Sequence, residues 1–348
     1  MSNNFEIEEL DLTNSQKYNE LSEFLLRFDL KIDNIDYTIV FRDDNNIIAT
    51  VSKYGNLIKC SAICEKYTGR NLLNTLITKM FYKINEEGYD CSFLITKISN
   101  KSKFEQIGLY KVYQNDNIIF FTNNYEKLKK YERYLFDISK KNDREKAAAV
   151  VVNANPLSKG HDYLINTAAT QNELVYIIPV YEDVSFFTYK ERVEMIRNSI
   201  KKYDNVYLLE GSEFLISKST FPSYFLNQEK EIVEEQSKLD AGLFWQIYCK
   251  NLNIVNRYVG EEPFSRTTNI YNYVLEEFLK SKKIKLNIIK RLEVDGKPIS
   301  ASQIREAILN QDIELLKKYC LDTNIDFISS KEIYDRAINH KDKIYKKN

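Results

Sequence analysis

Residues 147–161 read Ala147-Ala148-Ala149-Val150-Val151-Val152-Asn153-Ala154-Asn155-Pro156-Leu157-Ser158-Lys159-Gly160-His161. The opening run of small apolar residues fits a strand covered on both faces. Asn153, Asn155 and Pro156 then suit a turn that redirects the chain. Ser158 is a good helix cap, and Gly160, lacking a Cβ, lets a ligand come close to the backbone. The helix that starts here offers free N–H groups to an anion. His161 falls in its first turn, where an imidazole can donate a hydrogen bond to a phosphate oxygen. Taken alone, a histidine packed beneath a loop is an equally good reading of that residue.

Outward from this stretch, strands and helices alternate. Further strands are predicted at 174–180, 206–210, 257–260 and 286–292, with helices at 160–171, 188–202, 231–250, 267–281 and 301–309. Such alternation implies a parallel sheet with right-handed crossovers, and ligands of such sheets bind at the carboxyl ends of the strands. Thr188 caps the second of these helices; whether Arg192, one turn in, is structural or near the site is left open. The turn Asp295-Gly296-Lys297-Pro298 leads into Ile299-Ser300-Ala301-Ser302-Gln303-Ile304-Arg305. There Ser300 and Ser302 open a helix and Arg305 follows on the same side as Ser302. Two hydroxyls, a helix N-terminus and a guanidinium suit an anion the size of pyrophosphate. A plain Ser-capped helix with a surface arginine is the alternative.

The chain has 348 residues, enough for two domains. Residues 123–146 turn charged and helical and end in the polar run Asp143-Arg144-Glu145-Lys146, so the boundary is expected there. This gives a first domain at 1–142, a second at 143–330 and a basic tail at 331–348 in which His340 is solvated. In the first domain Thr13 is expected to cap a helix. Tyr37–Phe41, Ile47–Ser52 and Leu57–Cys64 read as an antiparallel meander, followed by a helix that ends at Gly88. Strands at 91–96 and 117–122 flank a short helix ending near Gly108. Lys and Arg together number 50, as do Asp and Glu, and this balance speaks against a nucleic-acid or membrane-surface binder. Five cysteines without a second close pair argue against a disulfide framework or a zinc site, and for reduced thiols in the cytoplasm. No signal peptide and no transmembrane span is expected.

Ser158-Lys159-Gly160-His161 after a buried strand resembles the [H/T/S]-x-G-H signature of the nucleotidyltransferase superfamily, with Ser158 where many members carry His or Thr. Ile299–Arg305 resembles that superfamily's second phosphate motif, and the two occur in the right order. Together with Gly211–Phe225 and Arg257–Asn272, they closely resemble the citrate lyase ligase family over roughly residues 147–325. The resemblance implies an α/β fold in which a Rossmann-like parallel-sheet nucleotidyltransferase domain follows a GNAT-like α/β domain. It implies His161 and Arg305 as catalytic, and Asn153, Asn155, Pro156, Ser158, Gly160, Gly260, Glu262, Ser300 and Ser302 as the nucleotide site. It also implies Arg266 as a contact to a phosphate or the acyl carboxylate. Glu261 and Glu262 end a strand at the ligand edge, within reach of a ribose or of Mg2+; an edge salt bridge is the alternative for them and for Arg266. Ser219–Phe225 reads as an aromatic lid or an interface for a carrier protein.

The reaction implied is activation of acetate by ATP, with Mg2+, to acetyl-adenylate. The acetyl group then passes to the thiol of the phosphoribosyl-dephospho-CoA group on the citrate lyase acyl carrier subunit. An adenylyltransferase making a coenzyme precursor and a non-catalytic nucleotide- or carrier-binding module are the other readings. The first domain's strand order resembles the GNAT N-acetyltransferases. In place of their acetyl-CoA loop, [QR]-x-x-G-x-[GA], stands Lys66-Tyr67-Thr68-Gly69-Arg70-Asn71. Lys66 and Asn71 depart from the pattern, so a binding or scaffolding domain is expected here, not an active acetyltransferase.

Overall fold

The structure, a computed structural model, describes residues 5–142, 144–182, 184–215, 221, 224–226, 229–261 and 266–341, without the side chains of 229 and 266–269. It divides into two units, Met1–Tyr131 with Ser219–Gly242, and Glu132–Lys218 with Leu243–Asn348.

In chain order the first unit holds β1 (Glu6–Glu9), α1 (Ser15–Leu26), β2 (Tyr37–Asp43), β3 (Asn46–Tyr54), β4 (Leu57–Ile63) and α2 (Leu72–Glu86). There follow β5 (Phe93–Lys97), α3 (Lys101–Glu105), β6 (Tyr110–Gln114), β7 (Ile118–Thr122) and the start of α4 (Tyr125–Asn142). The strands form one seven-stranded sheet in the order β1-β2-β3-β4-β5-β7-β6. The predicted meander is there: β2, β3 and β4 pair antiparallel, and Gly55 takes the left-handed φ of +56° that its tight turn requires. β4 and β5 run parallel, on either side of the α2 crossover. The meander, the helix and the next strand follow in the order read from the sequence. β1 and β6, which the sequence reading missed, are the two edge strands; Glu6–Glu9 is mostly charged and carries little apolar alternation. α1 is capped by Asn14, not Thr13: Asn14 Oδ1 accepts from the N–H groups of Gln16 (2.9 Å) and Lys17 (3.3 Å), while the Thr13 hydroxyl donates to Asp11 (2.6 Å). α2 buries Leu72, Leu76, Ile77, Met80 and Ile84 against the sheet and stops before Gly88, at φ +92°. In the loop before α2, the Arg70 guanidinium stacks over the Phe5 and Tyr67 rings, 5.6 and 5.4 Å from their centroids. Of the expected aromatic lid, Phe221, Tyr224 and Phe225 are described, and all three are buried.

The second unit holds β8 (Ala147–Val152), α5 (Lys159–Gln171), β9 (Val175–Pro179), α6 (Tyr189–Ile200) and β10 (Val206–Leu208). α7 (Glu229–Leu243), which belongs to the first unit up to Gly242, continues through a π-helical stretch, Phe244–Cys249, into α8 (Lys250–Leu252) and β11 (Ile254–Gly260). Then come α9 (Arg266–Ser281), β12 (Lys285–Ile289), the hairpin of β13 (Glu293–Val294) and β14 (Lys297–Pro298), and α10 (Ala301–Leu309). α11 (Ile313–Tyr319), α12 (Asp322–Ile328) and α13 (Lys331–Asn339) close the unit. The five-stranded sheet, β10-β9-β8-β11-β12, is parallel throughout. β8 sits at its centre with Ala147, Ala148, Ala149, Val150 and Val152 at most 3% exposed, as its sequence predicts. α5 packs Leu164, Ile165, Ala168 and Ala169 on it. The chain winds one way from β8 through β9 to β10 and the other way through β11 to β12. The carboxyl ends of β8 and β11 therefore flank the switch point where such sheets bind ligands. Residues 331–339, assigned from sequence to the tail, are a helix with Ile333 and Ala337 in the core. No described helix is long and apolar enough to cross a membrane.

Candidate active site

The loop leaving β8 reaches the first turn of α5 through local chemistry. Ser158 Oγ accepts the His161 N–H (3.3 Å), and the His161 ring accepts the Ser158 N–H at Nδ1 (3.1 Å), closing a capping box. The Ser158 hydroxyl also lies 2.8 Å from Nδ1. With donors converging on Nδ1, the neutral ring carries its proton at Nε2, and among the described residues Nε2–H has no acceptor. Burial pushes the His161 pKa down to about 4, and the positive charge of Arg291 adds to the effect. At neutral pH His161 is therefore an uncharged donor. The N–H groups of Lys159 and Gly160 have no intrahelical acceptor at this helix end.

The second predicted stretch meets the first. Ser300 caps α10 and exchanges hydrogen bonds with Gln303 (3.3 Å to its Oγ, 3.0 Å from its N–H). A Cβ placed on Gly160 would lie 3.9 Å from Ile299 Cβ, so the two helix N-termini are neighbours. Arg305 is fully buried: Nη1 donates to the Asn155 carbonyl (2.8 Å) and Nη2 to Ser302 Oγ (3.3 Å). The guanidinium that the sequence reading aimed at the triphosphate thus faces protein acceptors and ties α10 to the β8 loop. Burial lowers its pKa from the usual arginine value.

Asn155 is buried and precedes Pro156 in a cis peptide; its Oδ1 accepts the Phe187 N–H (3.0 Å). Asn153 donates through Nδ2 to Glu182 (3.0 Å). Arg192, left open by the sequence, proves structural. It is fully buried, with Nη1 on the carbonyls of Asn153 (2.9 Å) and Val180 (2.9 Å) and on Asn153 Oδ1 (2.8 Å), Nη2 on the Glu182 carbonyl and Nε on Phe187 O (3.2 Å). A buried charge needs such a set of partners. Gly260 ends β11 with open space where a Cβ would be, and Glu261 N–H bonds Ile289 O (2.8 Å) across to β12. Glu262 and the Arg266 side chain lie outside the described residues.

The sequence reading missed Arg291. It follows β12 at the carboxyl edge, donates through Nε to the Glu261 carbonyl (2.8 Å) and sits near enough to His161 to disfavour its protonation. Partial burial lowers its own pKa. The signal was a cation two residues past the end of an edge strand, hidden in the Lys290-Arg291 pair.

Residues 147–328 match the family described as the citrate lyase ligase C-terminal domain. The [citrate [pro-3S]-lyase] ligase of Escherichia coli K12 is 31% identical over 306 residues, covering 86% of this chain and 86% of that protein. The Klebsiella pneumoniae protein of the same name is 32% identical over 292 residues, 82% of this chain and 85% of its own. That of Haemophilus influenzae is 30% identical over 324 residues, 91% and 96% respectively. The chain belongs to the citrate lyase ligase family.

Proposed function

We propose that the chain is an acid–thiol ligase that uses ATP to activate acetate as acetyl-adenylate, then acetylates the prosthetic-group thiol on the acyl carrier subunit of citrate lyase. Family membership supports a ligase acting on citrate lyase. The observation that carries the chemistry is the convergence of two helix N-termini and the neutral His161 donor at the switch point of a parallel sheet.

In the first step an acetate oxygen bonds to the α-phosphorus of ATP, which enters as its Mg2+ complex. The bond to the bridging oxygen breaks and pyrophosphate leaves with the electron pair. Negative charge grows on the phosphate oxygens, and fixed donors stabilise it best. His161 Nε2–H, the first-turn N–H groups of α5 and α10 and the Arg291 guanidinium fill that role. Asn153, Asn155, Pro156 and Ser158 shape the loop, Gly160 and Gly260 leave room for the nucleotide, and Ser300 and Ser302 set the second helix end. Arg305 works from below, holding the loop. Glu262 is assigned to the ribose and Arg266 to the acyl carboxylate or a phosphate. In the second step the carrier's thiolate, on its phosphoribosyl-dephospho-CoA arm, attacks the acetyl carbonyl. AMP leaves with the electrons of the broken C–O bond, and the thiol proton goes to solvent. Nucleophile and thiol both come from substrates, so no protein nucleophile is required. The first unit, with its altered loop at 66–71, serves as a binding or scaffolding domain, and the enzyme works in the cytoplasm.

The test is pyrophosphate release from ATP with acetate, with and without deacetylated carrier. Release should require acetate, and the carrier should collect the acetyl group. His161→Ala should leave the fold intact and slow release at least about tenfold, since one charge-stabilising donor is worth a few kcal/mol. Release that ignores acetate and leaves a stable adenylylated product would favour an adenylyltransferase.

A further inference from the structure

The three C-terminal helices supply none of the groups assigned to phosphate, yet each holds part of the loop's support. On α11, the Lys317 carbonyl accepts Lys159 Nζ from the start of α5 (2.7 Å). On α12, the buried Asn324 donates to the Met195 carbonyl of α6 (3.3 Å), and the Phe327 ring lies 6.1 Å from that of Phe187. On α13, Arg336 grips Glu191 with two parallel bonds of 2.7 Å each, both side chains about four-fifths shielded from solvent. Glu191 is the third residue of α6 and closes the capping box with Thr188 (2.9 and 3.3 Å). The next residue is Arg192, whose guanidinium carries Asn153. Just before the cap, Phe187 N–H holds Asn155 (3.0 Å). The family match ends at residue 328, before α13 begins.

We propose that the Arg336–Glu191 ion pair is a positioning device: α13 sets the first turn of α6, and through Arg192 and Phe187 it holds Asn153 and Asn155 in the geometry that receives ATP. This rests on the reading of the β8 loop as the nucleotide loop. A pair that merely anchored α13 would not need to end on the capping-box residue that directly precedes Arg192. Burial opposes ionisation of Glu191, but the Arg336 guanidinium and the Thr188 N–H keep its carboxyl below the usual range.

The experiment uses the full chain with Arg336→Met, Arg336→Lys, Glu191→Gln and the double variant Arg336→Met/Glu191→Gln. Gln at this position keeps the capping box and removes the charge. Two readouts are taken well below the melting temperature: kcat and KM for ATP in acetate-dependent pyrophosphate release, and the imidazole 15N shifts of His161 without ligand. The chain has two histidines, so a His340→Gln background leaves His161 as the sole signal. Arg336→Met and Glu191→Gln should each lower kcat/KM for ATP about five- to tenfold, since small misplacements of a site are costly. The double variant should be no worse than the worse single one, Arg336→Lys should recover most of the loss, and the His161 signal should move in Arg336→Met and Glu191→Gln. Wild-type kinetics with an unmoved His161 signal, even at a lower melting temperature, would overturn the proposal, and so would additive losses. Should the wild type release no pyrophosphate, the ligase reading falls, and the His161 shift still decides the positioning claim by itself.

Discussion

His161 combines two roles that pull on one ring. Its Nδ1 is spent on Ser158 in the capping box, which leaves Nε2–H as the donor. Its folded pKa of about 4 lies below the ordinary histidine value near 6.5, first through burial and then through Arg291. The sign follows. As pH falls from about 6.5 to about 4, the unfolded chain takes up a proton that the folded one refuses, so His161 removes stability across that window, at most roughly 3 kcal/mol in total. Above it the contribution is complete, and protonation of His161 sets no acid limb on activity between pH 5 and 7. An NMR titration in the His340→Gln background should place the His161 midpoint at about 4, whereas a midpoint near 6.5 would contradict its burial. Arg291→Met should move that midpoint upward, because a nearby positive charge is gone while the burial stays. The same change should raise KM for ATP severalfold if Arg291 faces phosphate.

At the scale of the element, the start of α5 tests whether its glycine serves folding or ligand. A Cβ at Gly160 would meet Ser158 Oγ at 3.4 Å and Ile299 Cβ at 3.9 Å, ordinary contact distances, and its backbone is helical. Gly160→Ala should therefore stabilise the helix by about 0.5–1 kcal/mol in urea unfolding, while ATP affinity falls because the methyl group stands where the nucleotide must approach. A fall in both quantities, or in neither, would remove Gly160 from the site. Elements of this kind were legible in the sequence because their signals are local: a six-residue apolar strand, a Ser cap, a glycine in the first turn of the helix. What escaped depends on distant partners or on edges. The sequence aims Arg305 at a phosphate and leaves Arg192 open between structure and site, because their burial depends on carbonyls 150 and 39 residues away. β1 and β6 lie at the sheet's edges, where one side needs no apolar pattern. α13 reads as a charged tail because Ile333 and Ala337, four apart, are its buried residues.

For the whole molecule, division along the chain and division in space differ. Residues 219–242 follow the third strand of the second unit in sequence, yet pack with the first unit. Tyr224 there donates its hydroxyl to the Ile95 carbonyl (3.1 Å) and accepts the Lys31 N–H at its own carbonyl (2.9 Å). Glu235, 3% exposed, accepts from Asn115 Nδ2 (2.9 Å) and Asn117 Nδ2 (2.7 Å) at the turn between β6 and β7. No local pattern announces these contacts, since the partners are 120 and 118 residues apart. Glu235→Ala leaves two partly buried amides without their charged acceptor, a loss of about 2 kcal/mol. For a unit of this size that corresponds to a drop of roughly 4–8 °C in its thermal transition. The proposed nucleotide site lies in the second unit, so ATP affinity measured by titration should stay at the wild-type value. If calorimetry shows an unchanged transition for the first unit, residues 219–242 do not contribute to its core and the split of the chain in space is wrong. If ATP affinity falls as well, the segment supports the site directly, and the assignment of Glu235 to the first unit alone fails.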